Sequence, residues 1–162
     1  MENQDFKSIV GKIQDIKVGM FTTMCKDKQL RGRPMTTCEV EEEGFLWFFT
    51  SINSQLIDDL IEEDHVNIAY TDISKNRYIS VKGQAILVRN KTKIEQFWNP
   101  LANAWFPKGM EDPDLVLVKI RVNQVEIWDS GSSKIVILAK ILKAIITGEE
   151  YKDENAHKVI KP

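Results

Sequence analysis

Seven short segments rich in Val, Ile, Thr, Phe, Tyr and Trp, separated by brief turns and only occasional helical stretches, constrain this chain more than any other feature. Segments of that length and spacing build small antiparallel sheets, and closing such a sheet into a barrel removes its unpaired edges. The segments are Met20 to Met24, Pro34 to Val40, Phe45 to Thr50, Val66 to Tyr70, Tyr78 to Val88, Leu115 to Val122 and Gln124 to Trp128. Glu41-Glu42-Glu43-Gly44 reads as a hairpin break and Asp72 to Asn76 as a turn. Gly83, inside the fifth segment, marks a bend or bulge through which a barrel can close.

Four helices are expected around this sheet. Phe6, Ile9, Val10, Ile13 and Ile16 recur at helical spacing, giving an amphipathic N-terminal helix within residues 1–19, closed near Gly19. From Ser54 to Glu62 a short surface helix turns Leu56, Ile57, Leu60 and Ile61 inward and Asp58, Asp59, Glu62 and Glu63 outward. Ile94, Phe97, Trp98 and Leu101 suggest a third helix, ended by Asn99-Pro100 or just before it. Ser132 or Ser133 caps a fourth, over residues 132–148 with Gly148 as its stop, and residues 149–162 form a polar tail expected to fray. The fold class is therefore mainly β with peripheral helices (α+β), in a single domain over residues 1–162.

Composition narrows the class of function. With 162 residues, 43% of them apolar, the chain is an ordinary soluble domain. A chain of this size hides roughly two-thirds of its unfolded surface and needs no disulfide or structural metal. Its 22 basic and 24 acidic residues leave a net charge of −2, which argues against a nucleic-acid partner. Cys25 and Cys38 supply neither a disulfide framework nor zinc-ligand spacing and are expected to be reduced thiols. The acidic, polar N-terminus lacks the pattern of a signal peptide. The apolar run Ile135 to Ile146, broken by Lys140 and Lys143, is far shorter than the roughly 20 residues that span a bilayer. The expectation is a cytoplasmic protein without membrane contact.

Hydrolytic and metal machinery is missing from the pattern. His65 and His157 form no helical ligand pair, and Gly131-Ser132-Ser133 completes no nucleophile elbow. Asp58 and Asp59 are adjacent on a helix and cannot face each other as an acid/base pair, so both read as solvated surface. No catalytic side chain and no metal ligand is assigned.

Three clusters remain. Arg31-Gly32-Arg33-Pro34-Met35 places two guanidinium groups and a glycine before a strand, either as a charged turn or as a clamp for a dianion. Phe48-Phe49-Thr50-Ser51-Ile52-Asn53-Ser54 leaves a strand with aromatic rings, offers three hydroxyls and ends at a helix start. It is either a helix cap above core aromatics or a seat for phosphate beside a flat ring. Trp98, Trp105 and Phe106 lie among Pro100, Pro107 and Gly109, either as a satellite core or as a cover for a ligand or partner subunit. Together the clusters suggest a phosphorylated, planar ligand.

In order and spacing, these pieces and others resemble the pyridoxamine 5′-phosphate oxidase-like flavin-binding split barrels, in particular the general stress protein branch. The resemblance rests on Arg33-Pro34-Met35, Leu46-Trp47-Phe48-Phe49-Thr50 with Ser54, and Tyr78-Ile79-Ser80-Val81-Lys82-Gly83. It continues through Phe97-Trp98-Asn99-Pro100, Trp105-Phe106-Pro107-Lys108-Gly109, Asp112-Pro113-Asp114-Leu115 and Glu126-Ile127-Trp128. It implies a homodimer of six-stranded antiparallel split β-barrels with FMN at the subunit interface. Arg33 would hold the phosphate with the hydroxyls of Thr50, Ser51 and Ser54. Backbone around Pro34, Met35 and Phe48, Phe49 and Thr50 would meet the ring. Tyr78 would supply a polar ring contact, and Trp105 with Phe106 a lid from the partner subunit.

Two departures qualify the implied function. Many relatives carry a lysine two residues after the serine, where this chain reads Ser54-Gln55-Leu56. Losing one charge-assisted contact weakens FMN by roughly ten- to a hundredfold unless Arg31 or Lys75 compensates. True oxidases continue past the Glu-x-Trp segment to an arginine and a histidine. Here the histidine position is Val136, and Lys134 is the nearest substitute for the arginine, so pyridoxamine phosphate is not the expected substrate. The expected activity is flavin-dependent electron transfer between a reduced donor and a small-molecule acceptor in a stress setting. The rival expectation is a non-catalytic protein that binds or senses a flavin, haem or deazaflavin.

Overall fold

The apolar periodicity at the N-terminus forms α1 (Glu2–Ile16), which buries Phe6, Ile9 and Ile13. The structure, a computed structural model, describes residues 2–129, 134–150 and 157–161. The helix stops before Gly19. Lys17 adopts a φ of 64° and donates its N–H to the Ile13 carbonyl at 2.8 Å, a left-handed stop supplied by lysine. Gly19 lies instead in β1 (Val18–Met24), where an added Cβ would stand 2.7 Å from Ile68 Cγ2 and 2.8 Å from Tyr70 Cε1. Its smallness serves packing between strands rather than a helix end.

β1 pairs antiparallel with β2 (Leu30–Glu41), and β2 turns through Gly44, at φ 91°, into β3 (Phe45–Ser51). After α2 (Gln55–Glu62) the chain returns as β4 (His65–Asp72) on the other edge of β1. β5 (Arg77–Val88), α3 (Lys91–Phe97) and β6 (Leu115–Asp129) follow. The order β3-β2-β1-β4-β5-β6 closes when β6 pairs with β3 from Phe45↔Arg121 to Ser51↔Leu115, completing a six-stranded antiparallel barrel.

The two segments read separately at Leu115 to Val122 and Gln124 to Trp128 are one continuous strand. Asn123 drops out of the ladder as the register passes from Lys82↔Gln124 to Gly83↔Val122. At that bulge a Cβ on residue 83 would lie 2.6 Å from the Arg121 carbonyl oxygen, so glycine is required for the strands to approach.

The C-terminal tail, expected to fray, contains a strand. His157–Ile160 forms β7 and pairs with β6 from Trp128↔His157 to Val125↔Ile160, with Ile160 buried. Beyond the stretch that pairs with β3, β6 has an open edge, and a strand there satisfies backbone groups otherwise left to water. Between β6 and β7 runs α4 (Lys134–Thr147), which stops at Gly148 with φ 70°. The cap expected from Ser132 or Ser133, and the side chains of Lys134 and Val136, lie outside the described residues.

Strand alternation divides the interior in two. Phe21, Leu46, Phe48, Ile68, Tyr70, Val81 and Ile120 fill the barrel and meet α1 and α2. The rings of Phe21 and Phe48 stand edge to face at 5.1 Å, a geometry that adds about 0.5–1.5 kcal/mol to simple burial. Trp47, between Leu46 and Phe48, points the other way and packs with Ile94, Phe97, Leu115 and Leu117 under α3. Phe49, Trp98 and Phe106 flank that second core. Among the described residues no helix is long and apolar enough to cross a membrane.

Candidate functional site

The Thr37↔Phe48 register carries Met35 toward Thr50, and beside them opens a cavity of about 660 Å³. Pro34, Met35, Thr36 and Cys38 from β2, and Phe49, Thr50 and Ser51 from β3, form one side. The opposite side comes from the segment after α3, through Asn99, Leu101, Ala102, Ala104, Trp105 and Phe106, with Val18 of β1 at the margin. Apolar groups dominate, and hydroxyls cluster at Thr50 and Ser51. That combination suits a flat ring with a polar appendage. Asn99 builds the far wall by accepting the N–H groups of Leu101 and Ala102 at 3.0 and 3.3 Å, which caps the short 3₁₀ turn Pro100–Ala104.

Of the residues singled out in the sequence, Pro34, Met35, Phe49, Thr50, Ser51, Trp105 and Phe106 meet at this cavity. Trp105 is 79% exposed, and Phe106 packs against Phe49. Both line the cavity of their own chain. Ser54 stands just behind the wall, its hydroxyl 3.0 Å from that of Thr50 and not on a backbone N–H of α2. Phe48 is wholly buried in the barrel core, so only its backbone faces the ladder. Tyr78 is not brought here. It lines a separate groove with Ile73, Asn76, Ile137, Leu138 and Ile141, and pairs across the sheet with Trp128.

Arg33 has a partner that sequence reasoning missed. Its Nη2 donates to Asp59 Oδ2 at 2.9 Å and its Nη1 to Thr23 Oγ1 at 2.9 Å. Thr23 in turn donates to Asp59 Oδ2 at 2.7 Å, and Arg31 Nη1 donates to Asp59 Oδ1 at 3.0 Å. The expectation that Asp58 and Asp59 are both solvated fails for Asp59, which is 5% exposed while Asp58 is exposed. α2 lays Leu56, Ile57, Asp59 and Leu60 against the body and turns Ile61 outward. The sequence signal was the spacing itself: Asp59 follows Leu56 by three residues, on the buried face.

Burial alone would raise the Asp59 carboxyl. Hydrogen bonds from Thr23 and Arg33, with the charges of Arg31 and Arg33, outweigh it and hold the group below the usual aspartate range. Desolvation raises the thiol of nearby Cys25, and that of Cys38, on the cavity wall, is pushed up to about 12. Both stay protonated and poorly nucleophilic at neutral pH.

Neither candidate for replacing the absent lysine is free. Leu56 is buried in the core, Arg31 is tied to Asp59, and Lys75 lies 3.5 Å from Asp15 and 3.7 Å from Asp72. Among the described residues, one group of potential metal ligands comes together, Glu63, Asp64 and His65. There His65 Nδ1 sits 2.5 Å from Glu63 in solvent, and this pairing raises the imidazole and lowers the carboxyl.

A closed antiparallel barrel of six strands, with an apolar cavity between its β2–β3 pair and a loop rich in aromatic rings, defines a split-barrel protein. The chain belongs to the pyridoxamine 5′-phosphate oxidase like family, whose profile matches residues 4–152. It is 27% identical over 143 residues to Protein bli-3 of Neurospora crassa, covering 82% of this chain and 68% of that one. A solved structure from Jannaschia sp. CCS1, named for general stress protein 26, superposes with a TM-score of 0.76 at 23% identity. It covers 98% of this chain and 99% of its own, a likeness of fold. The general stress FMN/FAD binding protein of Xanthomonas citri is 26% identical with a TM-score of 0.65, over 82% of this chain and 90% of that one.

Proposed function

We propose that this chain binds FMN and, as a homodimer in the cytoplasm, carries electrons from a reduced donor to a small acceptor under stress. The observation that carries the reading is the cavity itself. Pro34, Met35, Phe49 and Phe106 offer an apolar slot, and Thr50 and Ser51 offer hydroxyls at one margin. The related Xanthomonas citri protein is an FMN/FAD binding protein. When bound, a flavin supplies the redox chemistry, accepting an electron pair and passing it on. The chain's own residues need only orient the ring, receive the phosphate and restrict water. No acid or base side chain is required.

The homodimer draws support from the outer face of the sheet. Val18, Met20, Tyr78, Trp128 and Val159 are exposed there, and Val18, Pro34 and Thr36 at the cavity margin belong to the same face. A second copy packed on this face would bury those side chains and close the cavity.

A second reading, non-catalytic flavin binding or sensing, is favoured by Leu56 in the core and by Arg33 paired to Asp59, which together leave the phosphate weakly held. Purification tests both. A yellow protein that takes up one FMN per chain, loses affinity in Arg33→Ala and oxidises NADH or NADPH supports the enzyme. Saturable FMN with no reduction by either nicotinamide supports the binder. An affinity unchanged in Arg33→Ala overturns the phosphate assignment.

A further inference from the structure

The buried carboxylate of Asp59 sits where an anion bound by Arg33 would compete with it. We propose that Asp59 is an internal competitor for that anion, a resident carboxylate that occupies the Arg31–Arg33 pair and weakens the protein's hold on a phosphate monoester. This inference rests on the reading of Arg33 as the phosphate contact.

Three observations carry it. First, the charge arithmetic is unusual for a phosphate site: two guanidinium groups converge on one carboxylate, so a dianion meets a net charge of +1 with a like charge already in place. Second, the network is complete without any ligand. Asp59 Oδ2 accepts from both Thr23 and Arg33, and Thr23 Oγ1 accepts from Arg33, so each member is held by another. Third, the cluster adjoins the cavity. Arg33 and Met35 lie on the same face of β2, about 7 Å apart along the strand, and Met35 lines the cavity. On the other side Asp59 lies five residues beyond Ser54, about 7.5 Å along α2 from the hydroxyl-bearing turn.

Neither arginine spends its Nε on a protein acceptor among the described residues, so each guanidinium retains a donor edge for an incoming oxyanion. What the anion does not find is the full charge of the pair. A chain that lacks the usual lysine and also keeps a carboxylate on its arginines is built for loose retention of a phosphorylated ligand.

The test compares wild type with Asp59→Asn and Thr23→Val, measuring affinity for FMN and for riboflavin, which lacks the phosphate. Asp59→Asn keeps the shape and removes the charge; Thr23→Val removes the hydroxyl that is bonded to both Asp59 and Arg33, loosening their ion pair without breaking it, and serves if Asp59→Asn does not fold. Expected is FMN binding about tenfold tighter in Asp59→Asn, with a smaller gain in Thr23→Val and riboflavin affinity within twofold of wild type. Weaker FMN binding in the folded variants, or equal changes for FMN and riboflavin, overturns the proposal. If wild type binds neither flavin, the flavin reading falls by itself. Inorganic phosphate then decides the competitor: a larger phosphate-dependent rise in melting temperature in the variants supports it, and an equal or smaller rise overturns it.

Discussion

The hydroxyls of Thr50 and Ser54 share a hydrogen bond of 3.0 Å across the turn that joins β3 to α2. Ser54 stands at the helix N-cap with φ −79° and ψ 151°, yet caps no backbone N–H with its side chain. Its hydroxyl therefore serves the turn beside the cavity rather than the helix.

Ser54→Ala accordingly costs less than the ~1 kcal/mol typical of a lost cap. FMN affinity falls by roughly three- to tenfold, because Thr50 loses the partner that orients its hydroxyl. Thermal melts and FMN titration of the same preparation separate the two effects.

Glycines at tight and open positions respond in opposite directions. Gly83→Ala forces a Cβ against the Arg121 carbonyl and lowers stability by about 1–3 kcal/mol. Gly11, in α1, has open space where a Cβ would stand, with nothing within 4 Å, so Gly11→Ala raises stability by about 0.5–1 kcal/mol. Urea midpoints of both variants check the signs.

Asp59 makes the fold acid-sensitive. Its folded carboxyl titrates below the ordinary aspartate value, so the unfolded chain takes up the proton first. Its stabilisation is fully present above the unfolded value of about 3.9 and fades as pH falls through the folded one. The gap in urea midpoint between wild type and Asp59→Asn is expected to be constant from about pH 5 to 8 and to shrink below about pH 4.

His65 titrates above its ordinary value because Glu63, and with it Asp64, favours the imidazolium. Proton NMR of the ring is expected to show a raised midpoint that falls toward about 6.5 in Glu63→Gln. An unchanged midpoint would show that the pair is not formed in solution.

Much of the barrel is legible in local chemistry. The aromatic, β-rich run Phe45 to Thr50, the Gly44 hairpin and the Asp72 to Asn76 turn each depend on neighbours within a few residues, and each lies where those residues indicate. The aromatic run after α3 was legible as a cluster, because prolines and Gly109 exclude regular packing of Trp105 and Phe106 there. The bulge at Gly83 was legible as a glycine out of place in a strand, although its effect on Asn123 appears only once β5 meets β6.

Local patterns in the chain were enough to set most of the strands and helices and several of the side chains that line the cavity, because period, turn residues and capping act over short distances. Long-range packing was needed to bury Asp59 and not Asp58. Consecutive residues on a helix point about 100° apart, and the choice depends on which face of α2 meets the barrel. Packing also paired Arg33 with a carboxylate 26 residues away and brought β7 to the open edge of β6. Those outcomes follow from the burial and pairing of distant groups, which no local pattern encodes.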